Sequence, residues 1–143
     1  MTGIFRKILV ATDGSDNNLS AVNEAVRIAQ ECGSTLYAVY VLDTTVFETA
    51  STDAPVTDLY RVLRKEAQES LDRVRNLAGT VSVEPVILEG KPAAKIIQYS
   101  EENGIDLIVM GTRGKSGIER FLLGSVADKV IRTTSVKVLI VKK

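Results

Sequence analysis

The sequence predicts an α/β protein in which helices alternate with the strands of a parallel sheet. Short apolar runs rich in Val and Ile recur along the chain, and stretches with helical spacing of apolar residues lie between them. Gly, Pro, Asn and Asp are frequent at the boundaries between the strand-like runs and the helix-like stretches. This alternation is typical of βαβ units with right-handed crossovers.

The first half of the pattern begins with KILVAT (7–12), a continuous apolar run typical of a strand buried on both faces. Turn and cap residues follow, and apolar residues then recur at helical spacing from Leu19 to Ala29. Gly33 stands where a left-handed residue would end that helix. The run TLYAVYVL (35–42) is predicted to be the second strand.

The middle of the chain predicts a loop, a long helix and an edge strand. Residues 43–56 are polar and irregular, which indicates a loop. Apolar spacing predicts a helix over about 57–78, ended by Gly79, and VSVEPVIL (81–88) alternates as a third strand. Because Pro85 has no N–H to donate, this strand is expected at an edge of the sheet.

The last part of the chain predicts two more helix–strand pairs. Pro92 suits the first position of a helix that ends near Gly104, and DLIVM (106–110) is a fourth strand. A glycine-rich loop, a helix near 125–134 and the strand VKVLIV (136–141) complete the chain.

These elements predict one three-layer α/β/α domain over residues 1–143, with a doubly wound sheet that is Rossmann-like or flavodoxin-like. In such a sheet of order 3-2-1-4-5, the ligand crevice lies between the first and fourth strands, at their carboxyl ends. The loops 11–15 and 111–117 would then face each other.

Composition excludes several kinds of site. The 143 residues contain no histidine, so a Ser-His-Asp triad and a histidine-ligated metal are excluded. Cys32 is the single cysteine, as expected in a reducing compartment, and we expect a cytoplasmic protein. With 18 basic and 18 acidic residues and no apolar run of about 20, neither nucleic-acid nor membrane binding is expected.

The segment Gly114-Lys115-Ser116 is similar to the end of a P-loop, but a P-loop has another glycine five residues earlier, where Val109 stands. The loop that contains this segment is nonetheless rich in glycine. Gly111 and Gly114 would let backbone N–H groups approach a phosphate without Cβ clashes.

A second anion-binding feature follows this loop. Gly124-Ser125 would begin a helix whose free N–H groups suit an anion. Arg113 and Lys115 would add positive charge. Each feature also has a purely structural interpretation, since such loops turn chains, Ser caps helices, and Asp13 with the following glycine is a common turn pair.

The spacing Gly111-x2-Gly114-x9-Gly124-Ser125 resembles the G-x2-G-x9-G-[ST] signature of the nucleotide-binding branch of the universal stress protein family. The surrounding segments DLIVMGTRGKSG and LLGSVADKVIRTTSVKVLIVKK, and the start KILVATDGSDNN, are similar to the same family. The resemblance spans essentially the whole chain.

The resemblance implies an adenine-nucleotide site. Segments 111–117 and 125–127 align with those that hold ribose and triphosphate, Ala11 and Asp13 align with adenine-side and ribose-side contacts, and Val41 aligns with the residue whose backbone reads the adenine edge. The complete expected set is Ala11, Thr12, Asp13, Val41, Met110, Gly111, Thr112, Arg113, Gly114, Lys115, Ser116, Gly117, Gly124, Ser125, Val126 and Ala127.

The chain departs from the family pattern at three positions. Ala11 and Lys137 replace a residue that is often Pro, and Arg113 replaces one that is often His. The resemblance implies a homodimer formed through the last strand (136–141), and the change at Lys137 bears on how that dimer forms. An apolar edge strand left without a partner also favours dimerisation.

The function implied is that of a regulatory stress-response protein that binds ATP, with Mg²⁺ as its companion ion. A slow ATPase or phosphotransferase is a second hypothesis, with Asp13 as the carboxylate near the phosphates. A non-binding dimeric interaction module is a third, and a flavin or nicotinamide protein ranks last because G-x-G-x-x-G does not follow the first strand. The sequence does not choose among ATP, ADP and cyclic nucleotides.

Overall fold

The computed structural model describes residues 3–48, 56–112 and 123–142, and its sheet has the order β3-β2-β1-β4-β5 with every pair parallel. The strands are β1 (Lys7–Ala11), β2 (Thr35–Asp43), β3 (Val83–Gly90), β4 (Leu107–Gly111) and β5 (Lys137–Val141). The helices are α1 (Asp16–Cys32), α2 (Thr45–Glu48), α3 (Val56–Ala78), α4 (Pro92–Glu102) and α5 (Ser125–Thr133). The predicted α/β class and strand order are confirmed.

Helices cover both faces of the sheet. Ile8 and Val10 of β1 point into a core layer formed with α1 and α3, whereas Leu9 between them points into a layer formed with α4 and α5. All three are fully buried. Because successive residues of a strand face opposite sides, the part of a strand covered on both faces must be apolar at every position, which is why Ile8, Leu9 and Val10 do not alternate with polar residues.

The residues predicted to mark the end of α1 and the start of α4 occupy those positions in the structure. Gly33 adopts φ 67° and ψ 33° and its N–H donates to the Ala29 carbonyl, so it ends α1 in the left-handed conformation that glycine accepts most easily. Pro92 lies at the start of α4. Within the described ranges, no helix is both long enough and apolar enough to cross a membrane.

Several element boundaries lie one or two residues from the predicted ones, and two of the differences have a visible cause. The segment predicted as a loop from 43 to 56 contains the short helix α2, because Asp43 Oδ1 accepts hydrogen bonds from Thr45 N (3.0 Å) and Thr45 Oγ1 (2.6 Å) at its start. Residues 49–55 lie outside the described part. Strand β3 begins later than predicted, since Val81 N still donates to the Ala78 carbonyl in a turn. Its edge position, inferred from Pro85, is confirmed.

Candidate functional site

A cavity of about 420 Å³ opens at the carboxyl ends of β1, β2 and β4, and we call it the main cavity. The strand order reverses between β1 and β4, so this is the crevice where ligands bind in open parallel sheets. Its volume is within the range of roughly 300–1,000 Å³ typical of small-molecule sites. The predicted ligand crevice and this cavity therefore have the same location.

Most of the residues expected at a nucleotide site line this cavity. They come from four elements that are distant in sequence and meet at one edge of the sheet: Ala11, Thr12, Asp13, Val41, Met110, Gly111, Thr112, Gly124, Ser125, Val126 and Ala127. The other expected residues, Arg113, Gly114, Lys115, Ser116 and Gly117, lie outside the described residues.

One wall of the main cavity is made of backbone from β4 and α5. Gly124 N donates to the Thr112 carbonyl at 2.6 Å, which ties the start of α5 to the end of β4. Asp128 N donates to the Gly124 carbonyl at 2.9 Å and begins the helical bonding. The first-turn N–H groups of Ser125, Val126 and Ala127 have no intrahelical acceptor, and Gly124 supplies no side-chain cap. This wall presents donors with partial positive charge to the cavity.

Another part of the lining is the turn between β1 and α1. Asp13 Oδ1 accepts from Ser15 N (2.9 Å) and Ser15 Oγ (2.6 Å), and Thr12 Oγ1 accepts from Gly14 N (3.2 Å). Asp13 thus has a structural task, since it holds the backbone that leads into α1. The structural interpretation of Asp13 is correct, and the same bonds fix where its half-buried carboxylate meets the cavity.

The described lining of the main cavity is electrostatically uneven. It includes the carboxylates of Asp13 and Asp43, and it includes neither lysine nor arginine. The described residues also contain no cluster of three or more His, Cys, Asp or Glu side chains that could hold a metal ion. Among the described lining residues, an anion bound in the main cavity would therefore depend on the α5 amides.

Sequence reasoning missed a group of cavity residues. They are mostly apolar side chains from α1, β2, α2, α3 and α4: Asn18, Val39, Tyr40, Leu42, Asp43, Val46, Leu63, Pro92 and Ile96. Asp43 had a usable signal, a polar residue directly after a buried strand and so at the ligand-binding edge. The apolar members had none, because a core residue and a cavity residue of the same type look alike in sequence.

The profile of the universal stress protein family matches residues 4–142 of this chain. A curated relative, the universal stress protein MJ0531 of Methanocaldococcus jannaschii, is 42% identical over 98% of this chain and 84% of its own. The solved structure of the universal stress protein UspA from Lactobacillus plantarum superposes with a TM-score of 0.79 at 30% identity, over 98% of this chain and 99% of the other. A crystal structure of a universal stress protein in complex with cAMP has a TM-score of 0.69 at 30% identity, over 97% and 98%.

Proposed function

Because the chain belongs to the universal stress protein family, we propose that it binds an adenine nucleotide, ATP together with Mg²⁺, in the main cavity. The proposal takes residues 1–143 as one nucleotide-binding regulatory domain that acts in the cytoplasm. The observation that carries it is the meeting of the β4 end and the α5 start on one cavity wall, joined by the Gly124–Thr112 bond.

The phosphates are assigned to this wall. Three successive N–H groups at the start of a nine-residue helix converge there, and a helix N-terminus suits anionic oxygen. Ser125 adds a hydroxyl at the first position of the same helix. The predicted contributions of Arg113 to Gly117 to phosphate binding are part of the proposal.

The base is assigned to the β2 side of the cavity. Val39, Val46 and Leu63 supply apolar surface there, and Val41 is close to the end of β2, where its backbone can read the edge of an adenine. The crystal structure of a 30% identical family member in complex with cAMP supports a ligand of the adenine class.

Titration calorimetry of the purified protein with Mg-ATP tests this proposal. We expect binding at micromolar concentrations, and mass spectrometry of undialysed protein should detect the retained nucleotide. Gly124→Val should weaken binding strongly, because the added side chain would cover the first-turn amides. Gly124 has φ −62°, which any residue adopts, so the loss would not come from backbone strain. Wild-type protein that releases no nucleotide and gives no heat with Mg-ATP would refute the proposal.

The geometry favours a binding protein over an efficient ATPase. A hydrolase needs a base or a positioned water in line with the γ-phosphate. Asp13, the carboxylate considered for this task, already accepts two bonds from Ser15. We therefore expect an Asp13→Asn variant to change ligand affinity and turn stability more than any slow hydrolysis.

The proposal includes a homodimer formed along β5. This strand lies at the edge of the sheet and bonds on one side to β4, and its residues Val138 to Val141 are only half-buried. An apolar edge without a partner strand promotes association. Light scattering should give twice the chain mass, and amides in 137–141 should exchange more slowly as protein concentration rises. A monomer at all concentrations would remove this part of the proposal.

A further inference from the structure

The turn between β1 and α1 borders two cavities. Thr12 and Asp13 line the main cavity, and Gly14 and Ser15 line a second cavity of about 290 Å³, which we call the side cavity. Thr12 belongs to both linings. A backbone segment that borders two cavities is held less by packing than a segment inside a core, so its position depends more on its hydrogen bonds.

The hydrogen bonds inside the turn set its shape. Asp13 Oδ1 accepts bonds from the backbone N–H and the hydroxyl of Ser15, and Thr12 Oγ1 accepts one from Gly14 N. Thr12 N donates to the Val39 carbonyl at 2.9 Å, which fixes the first residue of the turn to β2. The bonds inside the turn join residues two positions apart and move with it. They therefore do not fix the tip of the turn, Gly14, relative to the rest of the fold.

Helix α3 holds the tip of the turn from outside. Arg73 Nη1 donates to the Gly14 carbonyl at 3.1 Å, although the two residues are 59 positions apart in sequence. Arg73 Nη2 lies 3.0 Å from the position that a Cβ on Gly14 would take, and the Oγ of the buried Ser70 is closer still. Ser70 and Arg73 are three residues apart, so they lie on the same face of the helix. The guanidinium and the Gly14 backbone are thus in direct contact.

The backbone that carries Arg73 is firmly anchored. The guanidinium itself is exposed, but Leu71 and Val74 on either side of Arg73 are each only 2% exposed and pack into the core. The same helix contributes Leu63 to the lining of the main cavity. Helix α3 therefore contacts the cavity lining at one point and the turn at another, and it can hold the turn at a fixed distance from the rest of the site.

We propose that Arg73 is a positioning residue for the nucleotide site, because it holds the turn so that Thr12 and Asp13 are in place before a ligand arrives. This inference rests on the proposed nucleotide function. A ligand that must order a mobile segment loses affinity to the conformational entropy of that segment. Since the bond from Arg73 already orders the tip, a nucleotide in the main cavity has less to order. Water competes for an exposed guanidinium, so the effect on affinity is modest.

The test measures Mg-ATP affinity by calorimetry for wild-type protein, Arg73→Met and Arg73→Lys. Met keeps most of the aliphatic stem and has no donor, whereas Lys keeps a charged donor group. We expect Arg73→Met to lower the affinity about threefold, the size of a weak net hydrogen bond, and Arg73→Lys to recover most of the loss. Arg75→Met is the matched control. Arg75 is exposed on the same helix and lines neither cavity, so this change removes the same charge and should keep the wild-type affinity.

Hydrogen exchange gives a second readout, which a change in overall stability would not produce. In Arg73→Met without nucleotide, the amides of Gly14 and Ser15 should exchange faster than in the wild type, whereas those of Ile8 to Val10 in the core should not. Saturating Mg-ATP should remove this difference, because the ligand then orders the turn itself. Equal exchange of the Gly14 and Ser15 amides in the two proteins without nucleotide would refute the role of Arg73.

The outcomes separate this inference from the function on which it rests. Wild-type protein that does not bind Mg-ATP would overturn both. Two results would leave the nucleotide function standing and overturn the role of Arg73: equal losses of affinity in Arg73→Met and Arg75→Met, which indicate an effect of charge alone, or a fall in the Tm of Arg73→Met with unchanged affinity.

Should Arg73→Met fail to fold, exchange in the wild-type protein decides the question. The proposal requires the Gly14 and Ser15 amides to be protected before nucleotide is added. If they exchange as fast as amides of an unstructured peptide, the turn is not held in advance and the proposal is wrong.

Discussion

Replacing Gly14 with alanine should destabilise the protein more than the same change at Gly79 or Gly104, which have comparable backbone angles. Gly14 has φ +78° in the turn that carries Asp13, and a Cβ built there would collide with Ser70 Oγ and lie 3.0 Å from Arg73 Nη2. Arg73 Nη1 also donates to the Gly14 carbonyl at 3.1 Å. Helix α3 therefore packs directly against this turn and leaves no room for a side chain.

Two costs add at this position. Placing alanine in the left-handed region costs about 1 kcal/mol, and forcing an extra methyl group into a packed contact costs roughly 1–3 kcal/mol more. We expect a loss of about 3 kcal/mol in the free energy of unfolding for Gly14→Ala. For a chain of this size that corresponds to a fall in Tm of about 10 °C.

Gly104→Ala is the matched control. Gly104 has φ +65°, close to the angle of Gly14, but an added Cβ there would meet nothing within 4 Å. It should therefore show the backbone cost alone, about 1 kcal/mol. Urea denaturation followed by circular dichroism measures both variants. Equal losses for the two variants would refute the argument, because the steric contact with α3 would then contribute nothing.

A double-mutant cycle isolates the contact itself. Ser70 is 3% exposed and its Oγ donates to the Glu66 carbonyl within α3. Ser70→Ala removes the atom that a Cβ at position 14 would strike first. In that background Gly14→Ala should cost about 1 kcal/mol less than in the wild type, a coupling typical of residues in contact. If the losses in unfolding free energy of the two single variants simply add in the double variant, the strain at position 14 does not come from contact with Ser70.

Three further outcomes are expected. Glu89 Oε2 accepts from Tyr60 Oη at 2.7 Å and lies 3.7 Å from Arg64 Nη1, but these groups are partly exposed, so Glu89→Ala should cost less than about 1 kcal/mol in urea denaturation. Burial raises the pKa of Tyr99 above its usual value of 10.0. The contribution of Tyr99 to stability should therefore be constant below pH 10 and should be lost as the pH rises through the folded-state pKa. Over that alkaline range the Tm of Tyr99→Phe should fall less than the Tm of the wild type. Ser125→Ala should lower Mg-ATP affinity by about threefold to tenfold in calorimetry with little change in Tm, and unchanged affinity would remove its hydroxyl from the site.

The fold was predictable because its signals are local and repeated. Every strand buried on both faces is a continuous apolar run, as KILVA shows, and Gly33 and Pro92 mark helix ends through their own backbone geometry. The predictions were wrong where two local signals disagree, such as polarity, which indicates a loop, and side-chain capping, which begins a helix. Residues 43–48 look like a loop by polarity, yet Asp43 forms the side-chain bonds that begin α2.

The candidate site was predictable only in part, for a similar reason. Gly111 and Gly124 stand out in sequence because a residue without a side chain lets a backbone approach another group closely. Leu63 and Ile96 do not stand out, since their apolar side chains fit a core and a cavity wall equally well. Asn18 was missed as a cavity residue because its place there depends on a hydrogen bond from its side chain to the Ala11 carbonyl, and such a contact cannot be read from one residue.

The charges of the main cavity suggest how a nucleotide would be held there. Asp13 and Asp43 place two negative side chains in the described lining without a lysine or arginine beside them, so side-chain charge from these residues opposes a polyphosphate. In the proposal, attraction then comes from the α5 amides behind Gly124, from Arg113 and Lys115, and from the metal ion that accompanies the ligand. Backbone dipoles keep their orientation at every pH, but salt screens the field at a helix terminus as it screens exposed side-chain charges. Calorimetry with mono-, di- and triphosphates should therefore show an affinity that falls as salt rises, is nearly independent of pH near neutrality, and increases with Mg²⁺ for the longer phosphate chains.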